Sequence, residues 1–264
     1  MDLLTATVAE HPDLVHLLDD FNPWPRFMHQ DPVGSLYYAD PVGLYPEFVL
    51  AAIDQDHPGQ LVAKAYSVPF TWDKDPAVSL PNDGWDGVIL TAALDRLSGR
   101  RGNLVSALEI SIREDLRGTG LSRIMLSAMR ENAAALGFTS LVAPVRPNEK
   151  HLKPAMPMAE YATLRRADGL PVDGWLRTHV RAGGTIVGVA PRAMMMAGSV
   201  ADWREWTGLP FDTTGSVNVP EALVPVYCDL AQDYAAYCEP CVWIHHRLAT
   251  AGRGGFGEHS AKSQ

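Results

Sequence analysis

The stretches of sequence that decide the fold are S-A-L-E-I-S-I at residues 106–112 and R-G-T-G-L-S at residues 117–122. In the first, apolar and polar residues alternate, which predicts a half-buried β-strand. The second is a loop that offers several backbone N–H groups at the start of a helix, where the helix dipole adds positive potential. Gly118 and Gly120 have no Cβ to keep a bound anion away from the backbone. The loop therefore predicts a site for a pyrophosphate.

A helix and a second strand are predicted after the loop. Apolar residues recur every three or four positions over Leu121–Leu136, which is typical of a helix with one apolar face. Gly137 stands where a left-handed helix C-cap is usual, and Phe138–Val145 has the composition of a short buried strand. The unit is a β-α-β crossover, so we expect the strands Leu108–Ile112 and Leu141–Val145 to run parallel.

The loop fits neither G-x-x-x-x-G-K-[ST] of the nucleotide triphosphatases nor G-x-G-x-x-G of the dinucleotide-binding proteins. It resembles the motif R/Q-x-x-G-x-G/A of the GCN5-related N-acetyltransferase (GNAT) family, with Arg117 first and Ser122 in place of the final Gly or Ala. The flanking strands and Asn148 after the second strand also agree with that family. The resemblance implies an α/β fold in which a mixed, mostly antiparallel sheet has a central parallel strand pair and is flanked by helices.

The same resemblance implies an acyl-CoA cosubstrate, acetyl-CoA or another acyl-CoA. The residues that would hold it are Ile110, Ile112, Arg113, Arg117, Gly118, Thr119, Gly120, Leu121, Ser122 and Asn148. Six arginines lie near the loop in sequence and are interpreted either as a patch for the phosphates of coenzyme A or as ordinary surface residues: Arg96, Arg100, Arg101, Arg113, Arg117 and Arg123.

A general base is expected on or beside the strand that precedes the loop. The resemblance points to a carboxylate or a water chain there, and Glu109 is the carboxylate that this strand carries. Simple alternation turns Glu109 away from Leu108 and Ile110, so a strand bulge is needed to aim it at a substrate. A surface carboxylate with no catalytic role is the alternative for Glu109.

The general acid is predicted by the same resemblance. In the family a Tyr near the acyl-CoA sulfur protonates the departing thiolate, but Pro154 and Pro157 interrupt the register here. A displaced helix over Val172–Ala182 puts His179 in that position, four residues before Gly183. The unperturbed pKa of histidine, near neutral, suits proton transfer. The alternatives are that His179 is an ordinary helix residue and that Tyr161 is the acid.

Length and charge limit the remaining possibilities. The 264 residues, 47% of them hydrophobic, predict a single elaborated domain over 1–250, with a core at 45–190, a C-terminal extension at 191–250 and a disordered tail at 251–264. The net charge of −9 argues against nucleic-acid partners and anionic membrane surfaces. No apolar run long enough to span a membrane and no basic N-terminal signal stand out, so a cytoplasmic location is expected. The expected assembly is a monomer or a homodimer.

The cysteines are a possible metal site. Cys238 and Cys241, followed by His245 and His246, have a spacing that zinc could use, yet a single C-x-x-C is weak evidence. With Cys228, they are interpreted as core thiols, and no metal is expected.

The other predicted elements surround the central unit. They are a short helix at His11–Asp20, a loop or short helices at Phe21–Asp40, a hairpin of Phe48–Ile53 and Leu61–Phe70, a loop at Trp72–Trp85, strands at Thr185–Ala190, Leu223–Tyr227 and Cys241–His245, and a helix at Val200–Thr207.

Three functions stay open at this point. The first is direct acyl transfer from an acyl-CoA to a small-molecule amine. The second is related thioester chemistry with a carrier protein as partner, or decarboxylation of a malonyl-type thioester. The third is a non-catalytic acyl-CoA-binding protein. A titratable group beside the thioester would favour the first two.

Overall fold

The computed structural model describes residues 2–19, 21, 24–57 and 59–249, so the predicted tail at 251–264 lies outside the described residues. The described chain forms a nine-stranded mixed sheet in the order β1-β2-β3-β4-β5-β9-β8-β7, with β6 paired to the other edge of β9. The strands are β1 Leu3–Thr7, β2 Val49–Asp54, β3 Leu61–Phe70, β4 Leu104–Ile112, β5 Ser140–Val145, β6 Thr185–Gly198, β7 Gly215–Val217, β8 Val226–Asp229 and β9 Tyr234–Arg247.

Seven α-helices pack around this sheet in the described part of the chain. They are α1 Pro32–Tyr37, α2 Pro41–Leu44, α3 Gly84–Leu97, α4 Leu121–Ala135, α5 Met158–Tyr161, α6 Gly174–Arg181 and α7 Val200–Thr207. Single 3₁₀ segments connect several of these elements, at Pro12–Leu17, Arg26–Gln30, Pro46–Phe48, Glu114–Leu116 and Lys150–Leu152. No helix among the described residues is long and apolar enough to cross a membrane.

The predicted β-α-β unit is present. β4 and β5 are parallel, with Val105 opposite Leu141 and Ser106 opposite Val142, and every other strand pair is antiparallel within the described sheet. α4 crosses between the two strands and ends before Gly137, whose φ of 90° is the left-handed C-cap conformation. Its buried face matches the predicted apolar stripe and consists of Leu121, Met125, Leu126, Met129 and Ala133.

The two parallel strands separate soon after they meet. Beyond Ser106 and Val142 no further residues of β4 and β5 pair, although β4 stays paired to β3 as far as Ile112 and β5 stays paired to β9 as far as Val145. One edge of each strand therefore has no ladder partner over this stretch. The divergence opens the sheet at its centre.

The C-terminal segment completes the sheet rather than lying beside it. β9 pairs with β5 through its second half and with β8 through its first half, while β6 runs along its opposite edge. β6 continues past the predicted end at Ala190 to Gly198, with a register irregularity between Ala190 and Met194. A separate apolar cluster around Trp203 and Tyr237 fills the space under this end of the sheet.

Several elements were not predicted, among them β1, α2, α3 and β7. β1 adds to the edge of β2, and α3 packs on β3 and β6, beginning at Gly84 within the loop predicted at Trp72–Trp85. Gly84 has a φ of +42°, and a Cβ there would lie 2.5 Å from the Cβ of Ala193, so helix and strand approach closely at this point. α3 buries Asp86 and Asp95 on its inner side, which hides the apolar periodicity that a sequence pattern needs. The predicted helix at His11–Asp20 is instead the 3₁₀ segment Pro12–Leu17.

Candidate functional site

A β-bulge at Leu108 aims Glu109 into the opening between β4 and β5. Tyr66 on β3 lies opposite Glu109, and the next residue, Ser67, lies opposite Ala107, so Leu108 has no partner on β3. An extra residue of this kind changes the alternation of side chains along a strand. The bulge that the sequence analysis required is therefore present in β4.

The Glu109 carboxylate is held by two hydrogen bonds. The indole Nε1 of Trp24 donates to Oε2 at 2.9 Å, and the hydroxyl of Ser111 donates to Oε1. Each carboxylate oxygen has a second lone pair, so these bonds fix the orientation of the group and leave acceptor capacity.

The opening is a cavity of about 270 Å³. Its walls bring together four of the predicted site residues, Glu109, Ile110, Asn148 and His179. Trp24, Trp85 and Arg146 line it too, and sequence reasoning did not single them out for a site. Ile112 and Arg113 lie further along, where β4 ends and leads into the glycine loop.

His179 lies on the inner face of α6 and is 1% exposed. Its Nδ1 is 3.0 Å from Nε2 of His246 on β9, and its ring meets the Trp175 ring edge-on with centroids 4.6 Å apart. Burial, with a contribution from His246 and Arg130, holds the pKa of His179 well below that of a free histidine. The predicted residue is in the cavity, and its lowered pKa disfavours the imidazolium form that a general acid requires.

Tyr161 stands apart from the cavity. Its hydroxyl donates to Oδ2 of Asp173 at 3.1 Å, and the same carboxylate accepts from the backbone N–H groups of Trp175 and Leu176 at the start of α6. Asn148 joins this arrangement, since its Oδ1 accepts from the Trp175 N–H at 3.2 Å. The hydrogen bond from Tyr161 to Asp173 thus stabilises the start of α6, and Asn148 connects the end of β5 to the same helix, which carries His179.

The glycine loop lies exposed at the N-terminus of α4. Gly118 and Gly120 have φ of 80° and 91°, and a Cβ on either would meet nothing within 4 Å. In the described chain the N–H groups of Gly118, Gly120, Leu121 and Ser122 donate to no carbonyl or side chain, and α4 has no side-chain N-cap. Four free donors on an exposed loop at the start of a helix of 15 residues fit a pyrophosphate.

The six arginines do not form one patch. Arg96, Arg100 and Arg101 border a separate surface pocket with Leu136, at the far end of α4, about 20 Å from the glycine loop at 1.5 Å per residue. Arg101 donates to the Leu136 carbonyl at 2.7 Å, and Arg100 pairs with Asp95 at 2.8 Å. Of the six arginines, Arg113, Arg117 and Arg123 remain beside the loop, so the interpretation as one phosphate patch is wrong for Arg96, Arg100 and Arg101 and the alternative of ordinary surface residues holds for them.

A second cavity adjoins the first. It measures about 310 Å³ and lies between the N-terminal segment and β3. Four residues line both cavities: Trp24, Trp85, Glu109 and Met194. Glu109 therefore lines two adjacent cavities.

Cys238 and Cys241 are separated by an odd number of positions on the continuous strand β9, which puts their side chains on opposite faces. Cys241 is buried and borders the first cavity, whereas Cys238 is exposed. Among the described residues, no group of three or more His, Cys, Asp or Glu side chains is arranged to hold a metal ion.

An exposed glycine loop, a crossover helix and a pair of parallel strands that open onto a carboxylate are the arrangement expected of an acyl-CoA-dependent acyltransferase. The chain is 32% identical to the arginine N-acetyltransferase avaD of Aspergillus versicolor, over 92% of this chain and 93% of that protein. Its fold is similar to that of the loading GNATL domain of CurA from Lyngbya majuscula, with a TM-score of 0.54 and 18% identity over 93% of this chain and 96% of that one. No protein-family model matches the sequence.

This chain belongs to the GCN5-related N-acetyltransferase family. The relative confirms the predicted family and the predicted enzyme class, which is an N-acyltransferase with an acyl-CoA cosubstrate. The fold confirms the predicted mixed sheet with its central parallel strand pair. The alternatives based on carrier-protein or malonyl thioesters, and that of a non-catalytic binding protein, are not favoured, because the curated relative is an amine acetyltransferase.

Proposed function

We propose that this protein transfers an acetyl group from acetyl-CoA directly to a small cationic amine, with arginine as the first candidate acceptor. The observation that carries the proposal is that Glu109 lines two adjacent cavities. One cavity opens between β4 and β5, and the other lies between the N-terminal segment and β3. The relative, an arginine N-acetyltransferase, supports the choice of acceptor.

The donor is held from two directions in this proposal. The free N–H groups of the glycine loop bind the pyrophosphate, with Arg117 and Arg123 beside it. The unpaired edge of β4 beyond Ser106 offers backbone groups to the amide-containing arm of the donor. The thioester then lies in the first cavity, where backbone N–H groups of β4 polarise its carbonyl oxygen.

Glu109 is the general base. The acceptor amine loses a proton to the carboxylate, and its nitrogen attacks the thioester carbonyl carbon to form a tetrahedral intermediate. When this collapses, the C–S bond breaks and the thiolate takes up the proton that Glu109 received from the amine, so that the products are the N-acetyl amine and free coenzyme A. Trp24 and Ser111 keep the carboxylate in one orientation, so that the reacting atoms meet in a productive geometry.

His179 stabilises the leaving thiolate as a hydrogen-bond donor. Because the imidazole is neutral, it does not act as the proton donor that the sequence suggested. In the tautomer in which His246 Nε2–H donates to His179 Nδ1, the other nitrogen of His179 carries a hydrogen. That Nε2–H has no partner among the described residues, and the ring borders the first cavity.

The test is release of coenzyme A thiol by the purified chain with acetyl-CoA and arginine, with N-acetylarginine identified by mass spectrometry. Glu109→Gln keeps the size of the side chain and its acceptor for Trp24, yet removes the base, so kcat should fall ~10²–10⁴-fold while acetyl-CoA binding persists. Glu114→Gln, on the exposed turn after β4, is the matched control and should retain the wild-type kcat. A Glu109→Gln variant with the wild-type kcat would remove Glu109 as the base. A chain that binds acetyl-CoA and acetylates no amine would overturn the proposed activity.

A further inference from the structure

The second cavity contains a buried carboxylate that is only half satisfied. Asp31 begins α1 and is 3% exposed. Its Oδ2 accepts from the Gly34 N–H at 2.5 Å, as an N-cap does, but its Oδ1 is buried and has no hydrogen-bond partner within the described chain. A buried carboxylate oxygen without a partner is costly, and this one borders a cavity that reaches Glu109.

Two aromatic side chains form walls beside Asp31. Tyr38 and Trp85 meet edge to face, with ring centroids 6.1 Å apart and planes at 83°. The Tyr38 hydroxyl and the Trp85 Nε1 are also buried, and neither has a hydrogen-bond partner in the described part of the chain. Trp85 lies over Gly34, where a Cβ would be 3.1 Å from its ring, so Asp31 and Trp85 sit on adjacent walls of the same space.

The charge around this space is negative. Asp31 and Glu109 line it and Asp19 stands at its rim. The one lysine in its wall, Lys64, is buried and donates to the Leu18 carbonyl at 2.7 Å. Behind Asp31 lies Asp86, whose Oδ2 accepts from the Met195 N–H at 3.1 Å and whose Oδ1 has no partner among the described residues. The walls thus combine a carboxylate oxygen that lacks a hydrogen-bond donor, Oδ1 of Asp31, with flat aromatic faces.

We propose that this cavity is the acceptor site and that Asp31 is its specificity-determining residue, binding a guanidinium group of the acceptor beside the edge-to-face pair of Tyr38 and Trp85. The inference rests on the proposed acetyl transfer, because the acceptor must reach Glu109, which lines both cavities. A guanidinium is planar, carries five N–H donors and stacks on aromatic faces, so it matches both kinds of wall better than a strongly hydrated ammonium does. The indole N–H of Trp85 is left for an acceptor atom of the same substrate.

The test compares arginine with citrulline, which has a neutral urea group in place of the guanidinium. The wild type should prefer arginine in kcat/KM by ~10²-fold or more, because citrulline leaves Asp31 without a cation. Asp31→Asn keeps an oxygen for the Gly34 N–H, and should lose at least about tenfold of this preference through KM, with acetyl-CoA affinity unchanged. Asp40→Asn is the matched control, because Asp40 caps α2 through the Gly43 N–H at 2.8 Å on the exposed surface.

The outcomes separate this inference from the proposed function. Equal use of arginine and citrulline by the wild type, or an unchanged preference in Asp31→Asn, would overturn the role of Asp31 while acetyl transfer stands. If no amine is acetylated, calorimetry with arginine alone still tests the role of Asp31. Arginine binding that the wild type shows and Asp31→Asn loses would support the cavity as a guanidinium site. Absence of arginine binding to the wild type would refute it. Tyr38→Phe, which removes only the unpartnered hydroxyl, should weaken arginine binding by a few-fold and provides a second variant if Asp31→Asn does not fold.

Discussion

Nδ1 of His179 and Nε2 of His246 lie 3.0 Å apart and join α6 to the central strand β9. The two imidazoles are 1% and 0% exposed, so neither is well solvated. A hydrogen bond between two imidazoles needs one donor and one acceptor, which forbids protonation of both rings. Burial and the positive charge of Arg130 also lower the pKa of both histidines.

This pair should make the protein unstable to mild acid. Each folded-state pKa lies below the unfolded value of 6.5, so between these values the unfolded chain binds more protons than the folded chain. The free energy of unfolding should therefore fall as the pH drops below about 6.5, by up to ~1.4 kcal/mol per pH unit for each histidine. Urea unfolding between pH 7.5 and 5 measures this slope. His246→Gln should show a shallower fall than the exposed control His16→Gln, and equal slopes would contradict the prediction.

His179→Ala should lower kcat by roughly 10²-fold, because a neutral hydrogen-bond donor to the departing thiolate is lost. The Kd of acetyl-CoA, measured by calorimetry, should change little, since the glycine loop is on a different element. His246→Gln keeps a donor for Nδ1 of His179 and should lower kcat less. Turnover at the wild-type rate by His179→Ala would show that the residue only packs α6 against β9. Tyr161 is not a candidate for the same role, because its hydroxyl is bound to Asp173.

Gly120→Asp should weaken acetyl-CoA binding by about 10²-fold or more. The new carboxylate would stand among the free N–H groups that the pyrophosphate uses, and like charges repel strongly at this range. Gly137→Asp is the matched control, because it adds the same side chain at a similar φ, 90° against 91°, at the opposite end of α4. The two variants should lose similar stability, and only Gly120→Asp should lose affinity in a titration with coenzyme A. Equal affinities would remove the loop from the donor site.

The sequence predicted the elements that depend on short-range patterns. The strand before the loop, the helix over 121–136 and the parallel partner strand follow from alternation, helical spacing and a C-cap glycine, all of which lie within one continuous segment. The anion site at Gly118 and Gly120 is predicted for the same reason, since its donors belong to six consecutive residues.

What the sequence did not predict depends on contacts between distant residues. Trp24 bonds to Glu109, and His179 bonds to His246, across 85 and 67 positions of the chain. The acceptor cavity needs α1, β3 and α3 together, and α3 itself was missed because buried Asp86 and Asp95 disguise its apolar face. The patch predicted for Arg96, Arg100 and Arg101 is wrong for the opposite reason, because β4 carries the chain away from these residues before it reaches the glycine loop.

Asp86 provides the last prediction. Burial, and next the charge of Asp31, raises the pKa of Asp86 to about 8. The folded-state pKa lies above the unfolded value of 3.8, so between about pH 4 and about pH 8 the unfolded chain has released this proton and the folded chain still holds it. The free energy of unfolding therefore falls as the pH rises through this range. Asp86→Asn stays neutral and keeps an acceptor for the Met195 N–H. Its Tm should match that of the wild type near pH 4 and exceed it by a few °C at pH 8.5, corresponding to ~1–2 kcal/mol. The exposed control Asp212→Asn should keep the same Tm difference from the wild type at both pH values. If the Tm difference for Asp86→Asn does not grow with pH, then the pKa of Asp86 is not raised in the folded protein and the prediction is wrong.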